Sequence, residues 1–152
     1  NQLDRFLVRI QLGYPERESE LAILREQPGR LKLDHLDPVV SVQEIQALQG
    51  QAAQVAIEKT LMDYIMDMVE ATRESTQLHT GISPRGSLAL MQASQAIALV
   101  RGRDYVVPDD IKMMFIPVCA HRVITRSYMS NGDTATAVRI LQEIMDRIPC
   151  PV

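Results

Sequence analysis

The stretch "SPRGSLALMQASQAIALVRG", residues 83 to 102, constrains the fold more than any other. Ser83 offers a capping hydroxyl, and Pro84 suits the first helical position, where an amide proton has no intrahelical partner. Gly102 can close the far end. In between, alanine and aliphatic side chains occupy nearly every side of the helix. A helix that is apolar all round has to be surrounded. The sequence therefore predicts a central, buried helix from Pro84 to Arg101, and several other helices to cover it.

Those helices are legible. Acidic Glu16, Glu18 and Glu20 after Pro15 mark a helix start, with Leu21 and Leu24 inward and a stop near Pro28 and Gly29. Residues 29 to 40 read as loop. Ser41 and Glu44 form a capping box, and a helix follows to about Leu48, then a break with a short extended piece. Leu61, Tyr64, Ile65, Met68, Val69 and Thr72 recur at spacings of three and four, an amphipathic stripe ending near residue 76. Pro108, with Asp109 and Asp110 in the first turn, opens another helix, which Pro117 should kink or split. "SNGD" reads as a turn. A last helix runs from about Thr134 to Ile148, with Val138, Leu141, Ile144, Met145 and Ile148 inward.

"FLVRIQL" is different. Phe6, Val8, Ile10 and Leu12 alternate with Leu7, Arg9 and Gln11, the period of a strand. No later segment reads as its partner, so the expected sheet lies upstream of "NQLDRF", and the chain reads as a cut-out fragment. The fold class expected is all-α, five or six helices with a short N-terminal strand left over.

With 46% of 152 residues apolar, one domain with a real core is affordable, and 23% charged residues argue against disorder. Aromatics are 4% and methionines number 8, so packing should be aliphatic. A net charge of -3 argues against a nucleic-acid surface. No apolar run approaches the roughly 20 residues of a membrane helix. Cys119 and Cys150 fit no metal-ligand spacing and read as buried or incidental thiols. His35, His79 and His121 are scattered, and no metal site is expected. His121 on a helix reads as a core or interface residue, and Met62, Met66 and Met68 as core.

"TGISPRGSLAL" carries the chemistry. Its glycines suggest a phosphate loop, but the required lysine is absent after Gly86 and a helix precedes it rather than a strand. Two readings remain from the residues alone. One is an ordinary capped helix. The other is an anion site, because Arg85 in a first turn opposes the helix dipole by roughly 0.3–1 kcal/mol and an anion there would reverse that term.

Taken together, "QLDRFLVRIQLGYP", "YIMDMVEATR", "GISPRGSLALMQASQAIALVRGRDYVVPDDIK" and "VCAHRV" resemble the MoxR family of AAA+ ATPases over essentially the whole chain. The resemblance implies that residues 1–14 end an α/β ATPase core and residues 15–152 form the helical lid. It implies that Arg85 is the sensor-2 arginine, with Ser83 and Pro84 beside it at the nucleotide. Arg5 in "LDRF", oriented by Asp4, would be the arginine finger serving a neighbouring subunit. It also implies a cytoplasmic parent that binds Mg²⁺ and ATP, assembles as a ring, most simply a hexamer, and remodels or activates a client protein. The chain has neither Walker loop, so alone it should be no enzyme. Where the family often has Ser or Thr before "PDD", Val107 stands and cannot cap. The rival is a free-standing helical protein-interaction or DNA-binding module. Against it, the segment from Pro84 to Val100 carries Arg85 as its only cation.

Overall fold

A computed structural model describes residues 2–26, 37–126 and 134–151. Six α-helices make up most of them: α1 Arg17–Glu26, α2 Val42–Ala52, α3 Lys59–Glu74, α4 Pro84–Val100, α5 Pro108–Cys119 and α6 Thr134–Arg147. The expected all-α bundle is present. The stop near Pro28 and Gly29, most of the loop after it, His35 and the "SNGD" turn lie outside the described residues.

The core lies among α3 to α6. Tyr64, Met68 and Val69 of α3 meet Leu90 of α4, Ile111 and Phe115 of α5, and Ile140, Leu141 and Ile144 of α6. Each fully buried aliphatic or aromatic side chain contributes about 1.5–3 kcal/mol. The α3 stripe is buried at every position expected, Thr72 included. On α6 the inward face is Ala137, Ile140, Leu141 and Ile144, while Val138 and Met145 are only half-buried, as is Ile148 just past the end of the helix. Of the methionines expected in the core, Met68 is there, but Met62 and Met66 are exposed, because they lie off the α3 stripe.

Helix α4 is the hub, packing against α2, α3 and α5. It is not enclosed all round. Leu88 is 50% exposed, and Val100, the last residue of the helix, 80% exposed. Its C-terminus is a Schellman closure: Gly102 has φ +73, its amide donates to Leu99 O at 2.8 Å, and the Arg103 amide donates to Ala98 O at 3.0 Å.

Several local expectations are corrected. Helix α2 continues to Ala52 beyond the expected end at Leu48, and none of its residues is buried. The short extended piece after it is a parallel bridge, with Ala56 N donating to Asp104 O and Val106 N donating to Ala56 O. On α1, Leu21 is half-buried and Leu24 exposed, since that helix makes few contacts with the core. Pro117 does not split α5. It sits in the last turn, so although its own position donates no bond to Met113 O, only Val118 and Cys119 follow it in the helix.

The N-terminal strand is absent. Gln2–Arg5 is a turn of 3-10 helix, and residues 8–14 are irregular. The alternating face is not buried, with Ile10 70% and Leu12 91% exposed. The backbone of this segment is tied instead to the end of α5, starting with Arg9 N donating to Pro117 O at 2.8 Å. A small sheet that the sequence did not suggest pairs β1 Leu78–Thr80 antiparallel with β2 Ile124–Thr125.

Candidate functional site

The site is built around the start of α4. Ser83 caps it as expected, accepting the Gly86 amide at 3.2 Å, and Pro84 occupies the first helical position. What fixes this start in space is the end of α3. Thr72 Oγ1 accepts the Ile82 amide at 3.0 Å and donates to Val69 O at 2.6 Å. Arg73 Nε donates to Ile82 O at 2.9 Å. Both backbone groups of Ile82 are thereby held by consecutive residues of one helix turn.

The glycines serve this packing. A Cβ at Gly81 would lie 2.7 Å from Arg73 Cα and N, which are backbone atoms. A Cβ at Gly86 would lie 2.6 Å from Ile82 Cγ2 and 3.2 Å from Arg122 Cδ. Gly86 is thus explained by close approach and needs no ligand. Arg85 is not explained that way. It is exposed in the first turn and has no ion-pair or hydrogen-bond partner among the described residues.

Arg5 ends the 3-10 turn and is also exposed. Asp4 does not orient it. Asp4 Oδ1 instead lies 3.2 Å from Nε of Arg122, a side chain only 2% exposed. The Arg122 guanidinium also donates to Phe6 O at 2.7 Å, Leu7 O at 3.1 Å and Asp4 O at 3.3 Å, and to Val118 O on α5. His121 is buried, as expected, but it lies in the turn after α5 rather than on a helix, and its Nδ1 has no hydrogen-bond partner among the described residues. Its Nε2 lies 2.9 Å from Phe6 O, and burial, with Arg122 and Arg9 nearby, holds its pKa below the usual imidazole value against the pull of that carbonyl. Arg122 therefore touches both the Arg5 segment and the underside of Gly86, next to Arg85.

The second half of the sequence signature, "RGRDYVVPDD", proves to be a fastener between α4 and α5. Asp110 is fully buried. Arg103 grips it with two bonds of 2.7 Å, and Arg101 Nη1 donates at 3.2 Å. The Val107 amide donates to Asp110 Oδ2 at 3.0 Å, which leaves Val107 with half of a capping box and no side-chain cap of its own. Burial would raise the Asp110 pKa, but the Arg103 and Val107 bonds outweigh it and hold the carboxyl below its ordinary range.

Ser83, Pro84 and Arg85 were legible as a capped start. Thr72, Arg73 and Arg122 were missed as parts of the site. A signal for Thr72 existed, a hydroxyl on an otherwise apolar stripe. Arg122 had a weaker one, a charge inside "VCAHRVI". Among the described residues, no group of three His, Cys, Asp or Glu side chains could hold a metal. Cys119 is buried, Cys150 is exposed, and both are free thiols.

Residues 70–144 match the family model of the AAA lid domain, from the last turns of α3 to α6. The chain is 32% identical to the chaperone MoxR1 of Mycobacterium tuberculosis over 162 aligned residues, covering 99% of this chain and 41% of that one. This chain belongs to the MoxR family of AAA+ ATPases and carries its lid. YeaC of Bacillus subtilis, an uncharacterised protein, is 36% identical over 99% of this chain and 47% of its own. A solved structure of a Cytophaga hutchinsonii protein provisionally named an ATPase superposes with a TM-score of 0.82 at 27% identity, over 99% of this chain and 48% of the other. The MoxR-family chain thus spans about half the length of the relatives it matches. No helix among its described residues is long and apolar enough to cross a membrane.

Proposed function

We propose that this chain is the nucleotide-sensing lid of a MoxR-type AAA+ ATPase. Residues 1–14 would end the α/β core and residues 15–152 form the lid. The whole protein would bind Mg·ATP, assemble as a cytoplasmic ring, most simply of six subunits, and use hydrolysis to remodel or activate a client protein. The observation that carries the reading is Arg85. It is an exposed cation with no partner among the described residues, in a first turn that opposes it, on a helix start locked by Thr72, Arg73 and Ser83.

The residues present fit one end of the nucleotide. A planar, permanently charged fork at a helix N-terminus suits a terminal phosphate. Among the described residues there is no lysine-bearing loop to cradle the inner phosphates and no carboxylate paired with Arg85 to hold Mg²⁺, so both would come from the core. When bound, Mg·ATP supplies the phosphoryl group. Arg85 would hold that phosphate in its own subunit, with Ser83 and Pro84 shaping the turn. Arg5, also unpaired among the described residues, would offer its charge to the neighbouring subunit's nucleotide.

Mixed rings test this assignment. Either Arg5→Ala or Arg85→Ala should lower turnover about 10²–10⁵-fold in a uniform ring. Subunits with a disabled Walker A lysine keep their fingers, so mixing them with Arg5→Ala subunits should restore part of the activity. The same mix with Arg85→Ala should stay inactive. Rescue of Arg85→Ala alone would reverse the two roles, and unchanged hydrolysis in both variants would end the nucleotide reading.

A further inference from the structure

Both candidate arginines are exposed, yet one buried side chain lies between the backbone segments that carry them. Arg122 is 2% exposed and has no carboxylate of equal burial to neutralise it, Asp4 being 29% exposed. Its guanidinium is spent mainly on main-chain carbonyls, those of Asp4, Phe6 and Leu7 on one side and Val118 on the other. A forked, five-donor cation is the one side chain able to bind several carbonyls in fixed directions at once. Its stem runs beneath Gly86, 3.2 Å from where a Cβ would stand, and so beneath the turn that presents Arg85. Arg5 lies within the clamped stretch, directly after Asp4. Beside this clamp, the segment is held by the Arg9 amide on Pro117 O, by Arg9 Nη1 on Thr134 Oγ1 and by Phe6 O next to His121 Nε2, while the side chains of residues 5–14 are exposed.

We propose that Arg122 is a positioning residue for ATP hydrolysis, setting the Arg5 segment at a fixed distance and angle from the α4 start that carries Arg85. It touches no nucleotide itself. Motion of the lid would then be transmitted to Arg5, coupling one subunit's own pocket to the finger it lends its neighbour. The inference rests on the nucleotide-facing reading of Arg5 and Arg85.

The test uses the full-length protein, with Arg122→Lys and Asp4→Asn compared with wild type. Steady-state hydrolysis, ATP affinity and amide hydrogen exchange are measured on each. Lysine keeps the charge and loses the fork, so kcat should fall ten-fold or more with KM within about two-fold of wild type. Asp4→Asn should give a smaller loss of the same kind. Exchange should quicken at the Phe6 and Arg9 amides and stay unchanged along α3 to α6. Wild-type kcat with a loosened segment overturns the proposal, as does unchanged exchange at Phe6 and Arg9. So does a general loss of protection together with lost ATP affinity, which is the mark of a merely structural role. If Arg122→Lys does not fold, Asp4→Asn decides, because its side chain is outside the core. Arg5→Ala and Arg85→Ala run alongside. If both hydrolyse normally, the nucleotide reading fails; if both are inactive while Arg122→Lys works, only the present inference fails.

Discussion

Arg103 and Asp110 face each other across the junction of α4 and α5 through two parallel hydrogen bonds of 2.7 Å, with the carboxylate fully buried. The geometry is the bidentate fork that makes arginine and carboxylate the strongest common side-chain pair. It joins two helices whose connecting loop contains the Gly102 turn.

Removing that carboxylate should be costly. Removing it loses the bonds, while Arg101 and Arg103, being partly exposed, stay in reach of water, which places Asp110→Ala at about 3 kcal/mol at most, the low end for breaking a buried pair. For a chain of this size that is a fall of up to roughly 9 °C in melting temperature. Since the Asp110 pKa is depressed in the fold, its contribution is present above the unfolded value near 4 and lost as pH falls below it. Thermal melts from pH 7 to 3 should show a steeper acid loss in wild type than in Asp110→Ala.

Gly81 and Gly50 should respond in opposite directions to alanine. At Gly81 the new Cβ meets α3 backbone at 2.7 Å, and backbone cannot swing aside. The expected loss is about 1–3 kcal/mol, as for other overpacked sites. At Gly50, within α2, nothing lies within 4 Å of the new atom. There alanine should stabilise by up to about 1 kcal/mol through helix propensity. Denaturant midpoints of the two variants decide both.

His121 should make the protein weaken in mild acid. Burial lowers its folded pKa, so the unfolded chain binds a proton first as pH drops. Its contribution is complete above the unfolded value near 6.5 and is lost as pH falls below it. Unfolding midpoints at pH 7.5 and 5.5 should differ in wild type, and the difference should shrink in His121→Gln. An equal difference in both would assign the pH dependence to other groups.

The isolated 152-residue chain should bind Mg·ATP no tighter than roughly millimolar. Two exposed arginines without a phosphate-cradling loop make only a weak, salt-sensitive site. Calorimetric titration at low salt measures this, and a micromolar dissociation constant would show a pocket that the geometry around Arg85 does not contain.

Local rules carried much of the fold. The caps at Ser41 and Ser83, the closure at Gly102 and the stripe from Leu61 to Thr72 depend on neighbours three or four residues away, so they could be read from the chain in order. The site was only half legible for the same reason. Ser83 and Arg85 belong to one local turn, whereas Thr72 meets Ile82 across ten residues and Arg122 meets Leu7 across 115.

By itself the sequence determined the helix starts, the amphipathic faces and the resemblance of "GISPRG" and "RGRDYVVPDD" to a AAA+ lid. Tertiary structure alone decided three things. It left "FLVRIQL" without a strand partner among the described residues, although Phe6, Val8, Ile10 and Leu12 keep a period of two, because a strand exists only when another backbone accepts its hydrogen bonds. It exposed Leu88 on the helix expected to be enclosed, because burial depends on which neighbours arrive. And it paired Asp4 with Arg122 rather than with Arg5. Ion pairing follows distance in space, and those two residues are brought together only when the N-terminal segment lies across the end of α5.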